Sequence, residues 1–274
     1  MDKKEVIEKI SDELKLQGKS DRTIRMYCFF NEKFLDFIKK DANDVNTDDV
    51  KKYLANMMVR KNDNASVALA RSSLKFFYDG ILKKNIVNDI RTPKKQRRLP
   101  DVLTKEEMKQ LINAARSLKN KLLIEIMYSS GLRVSECANL KVMDLNLEEK
   151  TGLLKAGKGN KDRFFILAER TVNDIKEYLK NHNSEYLFPG VNGSMGTRAI
   201  QRVVKRTASR AGIRKKVYCH LLRHAFATHL LEDGVDIRKI QMLLAHSNLQ
   251  TTSFYTQVSK EQLRKVRSPL DTIT

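Results

Sequence analysis

Two histidines four residues apart, His220 and His224, flank Arg223 in the string "HLLRH", within a chain that holds five histidines in all. On a helix this spacing sets the two rings one turn apart, the geometry by which H-E-x-x-H enzymes grip zinc. Leu221 stands where that motif needs its glutamate, and Arg223 puts a permanent cation beside any metal that entered. Ligand count and electrostatics both oppose a metal and favour an anion. His220 and Arg223, at i and i+3, share a helix face, so one phosphate could accept hydrogen bonds from both. The alternative for this segment is an amphipathic helix that turns Leu222, Phe226 and Leu230 inward. On that basis His224 and His229 are read as structural histidines that merely find partners, and His182, in the polar string "KNHNSEYLF", as a loop residue.

The bulk composition agrees with an anionic partner. Fifty-three Lys and Arg against thirty-three Asp and Glu give a formal net charge of +20, while 41% of the residues are hydrophobic. That combination describes a folded protein with a polyanionic partner, nucleic acid first, against the alternative of a merely solvated basic surface. Cys28, Cys137 and Cys219 are odd in number, far apart and free of any C-x-x-C spacing. Neither a disulfide framework nor a zinc knuckle follows, and a reducing compartment is expected. The opening "MDKKEVIEKI" lacks the apolar core of a signal peptide, and no stretch approaches the roughly 18 apolar residues of a membrane span. The expectation is a soluble, cytoplasmic protein with no membrane partner and no metal or other cofactor.

The elements that must position these residues are mostly helices. Val6, Ile7, Ile10 and Leu14, and again Val50, Tyr53, Leu54 and Met57, recur at three and four, so residues 1–90 read as an all-helical domain. Thr47 ahead of "DDVKKYL" is read as an N-cap, and "KNDNASVALARSSLKFFYDGILKKN" as a later helix. "RTPKKQRRLPD" then carries two prolines and five basic residues with almost nothing apolar. This is read as a basic linker, 91–100, lying along a polyanion. Thr104 and Glu107 form a capping box that opens a second domain, 101–274. Its β signal is "TGLLKAGKGNKDRFFIL", a hairpin with Gly157, Lys158, Gly159 and Asn160 at the tip. Helices resume at "ERTVNDIKEYLKN", at "TRAIQRVVKRTASRAG" and through "HLLRHAFATHLLEDG", where Gly234 is the expected stop. Arg198, Arg202 and Lys205 share one helical face and are read as DNA-phosphate contacts, with a solvated face as the alternative.

Four strings occur in order: "YSSGLRVSE" (128–136), "GKGNKDR" (157–163), "HLLRH" (220–224) and "LAHSNLQTTSFYTQVS" (244–259). Together they resemble the catalytic signature of the tyrosine recombinase, or phage integrase, family, closest to its Xer-type members. "KSDRTIRMYCFFNEKFLDFI" also looks like the opening of that family's helical core-binding domain. Each string alone is weak; the ordered set is specific.

The resemblance implies a mainly α, two-domain DNA clamp: a SAM-like core-binding domain, and a helical catalytic domain with a small antiparallel hairpin or sheet. Position by position, it makes Arg133 and Arg223 the phosphate clamps, Lys158 the hairpin lysine, His220 and His246 the two histidines, and Tyr255 the nucleophile. By themselves Lys158 could be only a turn residue and Tyr255 only core. The family's reaction would pass through a 3′-phosphotyrosyl intermediate without metal, with a homotetramer acting on two duplexes and the tail after Tyr255 docking on a neighbouring protomer. Such enzymes resolve chromosome or plasmid dimers. Glu136, three residues beyond Arg133, either orients that arginine or is a surface acid.

Two departures stand out. Cys219 occupies a place where proline is common in the family, and Ala245 replaces the glycine usual before the second histidine. Neither removes a functional group. Two rival readings remain. A type IB topoisomerase shares the arginines, lysine and tyrosine but usually lacks a histidine where His220 stands. A non-enzymatic regulator would use "VDIRKIQMLLAHSNLQTTSFYTQ" as a helix-turn-helix.

Overall fold

The computed structural model describes residues 1–60, 63–92, 101–154, 162–191 and 193–244. The chain divides into two compact units, Met1–Arg98 and Leu99–Thr274. Among the described residues no helix is long and apolar enough to cross a membrane.

The first unit is helical. Helix α1 (Lys3–Leu16) starts where the Asp2 carboxylate accepts the Glu5 N–H, and it buries Val6, Ile10 and Leu14 at every third or fourth position. Helix α2 (Asp21–Ile38) is capped by Ser20 and ends on Lys39 in the left-handed region. Helix α3 (Thr47–Val59) corrects the expected start. Its cap is Asn46, whose side chain accepts the N–H groups of Asp48 and Asp49 while Asp49 accepts the Asn46 N–H. Thr47 is the first helical residue. Asn46 lies in extended backbone, where its short amide reaches the orphan donors at least as well as threonine would. Helix α4 (Asn64–Lys75) widens into a π-helical turn over Phe76–Ile81 that buries Phe77 and Tyr78. Buried Asn31 pins α2 to α4 by donating to the Tyr27 carbonyl and to both oxygens of Ser73.

The second unit opens with α5 (Lys105–Asn113), whose Thr104 and Glu107 make the reciprocal capping box expected of them. Helix α6 (Leu118–Ser129) is its axis: Leu122 through Met127 are all buried. After α6 the chain reverses at Gly131, with φ of 59°, and enters α7 (Val134–Ala138). A three-stranded antiparallel sheet follows in the order β1 (Leu145–Asn146), β2 (Thr151–Leu154), β3 (Arg163–Ile166). β2 and β3 form the expected hairpin, with Leu154 opposite Arg163; its tip, including Lys158, lies outside the described residues. Then come α8 (Glu169–Leu179), a two-stranded ribbon of β4 (Pro189–Gly190) and β5 (Gly193–Ser194), α9 (Thr197–Arg210), α10 (Cys219–Glu232) and α11 (Ile237–Leu244). Gly234, with φ of 84°, sits just past α10 as expected.

Helix α10 departs from the amphipathic expectation. Leu221, Leu222, Arg223, Ala225 through His229 and Leu231 are all buried, and the helix packs on α6, α9 and α11. Leu230, expected to face inward, is only partly buried. Of the helix-turn-helix alternative, only residues 235–244, which include α11, fall among the described residues, because the string runs on past Leu244.

Gly131 is where the fold constrains the site. A Cβ there would meet Phe226 Cδ1 at 2.5 Å and Leu244 Cδ2 at 2.9 Å, in a backbone conformation that side chains rarely adopt. Gly131→Ala is expected to destabilise the protein by about 2–4 kcal/mol, from backbone strain plus overpacking. A lowered urea midpoint checks this; an unchanged midpoint would show that the turn tolerates a side chain.

Candidate active site

The site is built on one acid. Arg133 occupies the N-cap position of α7, and Glu136, in the first turn of that helix, accepts the Arg133 backbone N–H at 2.7 Å. The other oxygen of the same carboxylate takes Arg133 Nη1 at 2.6 Å. Glu136 also binds Arg163 Nη2 at 2.7 Å and lies 3.8 Å from Arg223 Nη1. Its side chain keeps only 11% exposure. The two readings left open for Glu136 are thereby separated: it orients Arg133 and is no surface acid. Burial alone would push its carboxyl upward, but Arg163 and the hydrogen bonds from Arg133 hold it below the ordinary glutamate range.

Arg223 projects from the second turn of α10 and is fully buried. Its Nη1 donates to the Gly131 carbonyl at 2.5 Å, and its Nη2 to the Leu244 carbonyl at the end of α11. The turn after α6 and the end of α11 thus fix the plane of this guanidinium. Arg133 and Arg223, expected together from sequence, meet through Glu136.

His220 stands exposed in the first turn of α10, its ring 4.4 Å from that of His224. The surrounding protein, and then the charges of Arg223 and Arg133, hold its pKa below the ordinary imidazole value, which favours the neutral ring. A cavity of about 550 Å³ beside it is lined by His220, Lys205, Lys216, Tyr218 and Val134. Arg198, Arg202 and Lys205 are exposed on one face of α9 and line a shared open groove. Lys205 therefore belongs both to that basic face and to the cavity at His220.

Two further histidines have structural partners. His229 is buried and bonds Tyr128 Oη through Nδ1 at 2.8 Å, and His182 meets the Tyr186 carbonyl at 2.9 Å. Cys219 opens α10 as a buried thiol, its pKa pushed up to about 11 by burial. Lys158, His246 and Tyr255 lie outside the described residues.

Arg163 was missed at the level of sequence. It is buried on β3, and besides Glu136 it donates to the Leu243 carbonyl of α11. Strand alternation carried the signal: Arg163, Phe165 and Leu167 face one way and are buried, while Phe164 and Ile166 face out. A charge on the buried face of a strand needs a partner.

One carboxylate among three guanidiniums leaves a net positive site beside a neutral imidazole, suited to a phosphate. Residues 101–262 match the phage integrase family, and residues 6–87 the N-terminal SAM-like domain of phage integrases. The chain belongs to the phage integrase family. It is 37% identical to the tyrosine recombinase XerA of Thermococcus kodakarensis, covering 96% of this chain and 94% of that one. With the tyrosine recombinase XerC of Anoxybacillus flavithermus it shares 33% identity over 90% of each chain. Among solved structures, a XerA recombinase is 32% identical with a TM-score of 0.57, covering 96% of this chain and 97% of that one. XerH bound to its difH substrate before cleavage is 25% identical with a TM-score of 0.74, covering 94% and 82%. The chain is thus a Xer-type tyrosine recombinase, an enzyme that cleaves and rejoins DNA through a tyrosine intermediate.

His224 makes this site sensitive to acid. Burial, then repulsion from His220 once that ring too is protonated, and then the charge of Arg223 lower its pKa from 6.5 to about 4. The unfolded chain therefore takes up the proton first. The contribution of His224 to stability is fully present above pH 6.5 and is lost progressively as pH falls toward 4. Urea midpoints of the recombinase are expected to fall between those limits, and His224→Leu, which removes the titrating group, to flatten that fall. A slope unchanged in His224→Leu would remove the cause assigned here.

Proposed function

We propose that this recombinase acts at a specific DNA site, with Tyr255 as nucleophile, Arg133 and Arg223 as phosphate clamps, Lys158 as general acid, and His220 and His246 as acid–base and donor groups. The observation that carries the reading is the convergence of Arg133 and Arg223 on Glu136, with His220 close enough to feel both arginine charges, in a chain similar over nearly its whole length to tyrosine recombinases.

A tyrosine hydroxyl has a reference pKa of about 10, so it attacks poorly until its proton is removed or the developing phenolate is stabilised. Neutral His220 can accept that proton. Attack on a phosphodiester gives a pentacoordinate phosphorus with extra negative charge on its non-bridging oxygens, which two guanidiniums stabilise with fork-shaped donors. The bond to the 5′ oxygen breaks as Lys158 protonates it, leaving a 3′-phosphotyrosyl link. A 5′ hydroxyl from another strand reverses the step and reseals the DNA without ATP.

In this reading the 1–90 and 101–274 domains close on DNA from two sides, joined by the 91–100 linker. Arg198, Arg202 and Lys205 follow phosphates. Four protomers act on two duplexes, in the cytoplasm, on chromosome or plasmid dimers. The residues beyond Tyr255 dock on the neighbouring protomer.

A nicked duplex that loses its 5′ fragment on cleavage should trap the protein covalently in the presence of EDTA, and Tyr255→Phe should bind the same DNA without forming the adduct. An adduct in Tyr255→Phe, or a requirement for divalent metal, would overturn the assignment. Replacing the bridging 5′ oxygen with sulfur supplies a leaving group with a pKa of about 8.5 that departs without a proton. It should restore cleavage to Lys158→Ala but much less to Arg223→Ala. Rescue of neither would move the proton donor elsewhere, with His220 the first residue to test.

A further inference from the structure

We propose that Arg163 is a positioning residue of this recombinase, a buried fork that ties the strand following Lys158 and the helix end preceding His246 to Glu136, and through Glu136 to Arg133. The proposal rests on the functional reading above. Its geometry does not, because every contact in it lies among the described residues.

Arg163 opens β3, five positions after Lys158, and its side chain keeps only 6% exposure. One terminal nitrogen, Nη2, meets Glu136 Oε2 at 2.7 Å; the other, Nη1, donates to the Leu243 carbonyl. Leu243 belongs to the last turn of α11, three positions before His246. The next carbonyl, Leu244, accepts from Arg223. Two buried guanidiniums thus cap successive carbonyls at the end of one helix, where orphan carbonyls and the negative end of the helix dipole favour cations.

The consequence concerns placement. Lys158 and the His246–Tyr255 segment lie on separate stretches of chain, and the phosphate clamps on two more. Catalysis requires all of them to converge on one phosphorus, and displacement by about 1 Å can cost on the order of 100-fold in rate. Arg163 is the one described side chain that bonds β3, α7 and α11 together. With both terminal nitrogens held inside the protein, it acts through its neighbours and not on DNA. A lysine keeps the charge but is a single point donor, so it cannot hold two acceptors in the planes that a fork fixes.

The test is single-turnover cleavage of the nicked duplex by the full chain. Wild-type protein and Tyr255→Phe are run first, so that failure of the functional reading is seen separately, as the absence of a Tyr255 adduct. Arg163→Met, close in volume, is expected to bind the duplex like wild type while cleaving it about 100-fold more slowly. Arg163→Lys should fold, bind and remain impaired. Because both act on Arg133 through the same carboxylate, Glu136→Gln combined with Arg163→Met should be little worse than the slower single variant. The pH profile should change as well: without Arg163 the buried Glu136 takes a proton more readily, so the rate of Arg163→Met falls sooner as pH is lowered. Circular dichroism and DNA binding report folding. If Arg163→Met proves unfolded, the rate and pH profile of Arg163→Lys decide. Wild-type cleavage by a folded variant, a loss confined to binding, multiplicative losses in the double variant, or an unshifted pH profile would each overturn the proposal.

Discussion

A single buried carboxylate organises this cluster of arginines. Glu136 caps α7, fixes Arg133 through both backbone and side chain, anchors Arg163, and lies within ion-pair distance of Arg223. Burial opposes its charge and the arginines favour it, and the arginines prevail. Removing one partner of such a buried pair typically costs about 3–5 kcal/mol, because the other is left uncompensated. The four groups are therefore best regarded as one unit, whose excess positive charge waits for an anion. In that respect the site meets the demand of phosphoryl chemistry with fixed guanidiniums.

The scaffold serves the same end through backbone carbonyls. Gly131 contributes one to Arg223, and Leu243 and Leu244 contribute one each to Arg163 and Arg223. Each comes from a chain reversal or a helix end, where carbonyls lack partners of their own. The tight turn at Gly131 lets Phe226 and Leu244 approach closely, and α6 supplies the apolar floor beneath. Helix α10 can be buried on most of its sides because its one buried charge, Arg223, is engaged on both terminal nitrogens.

Much of this was legible in sequence where local chemistry decides. The Thr104–Glu107 box, the Gly234 stop, the β2–β3 hairpin and the periodic helices of the first unit all follow from residue types within a few positions of one another. The family resemblance pointed to Arg133, His220 and Arg223 because those residues sit in ordered strings, and the structure brings both arginines to Glu136. Other features escaped for physical reasons. β1, β4 and β5 are two residues long, too short for any alternation to register. The start of α3 turned on which of two adjacent capping residues held the extended backbone. Arg163 was one of fifty-three Lys and Arg, and only the inward register of Phe165 and Leu167 set it apart. The burial of α10 depends on neighbours distant in sequence, which no local pattern records.

The most direct measurement is the titration of Glu136 itself, followed by carbon NMR in protein labelled at the glutamate carboxyls and assigned with Glu136→Gln. An ionised hub held by guanidiniums should keep the shift of a carboxylate throughout the pH range in which exposed glutamates take up protons, and should begin to titrate earlier, as pH falls, in Arg163→Met. A Glu136 carboxyl that protonates together with the exposed glutamates or before them, with no response to the loss of Arg163, would contradict the organisation described here.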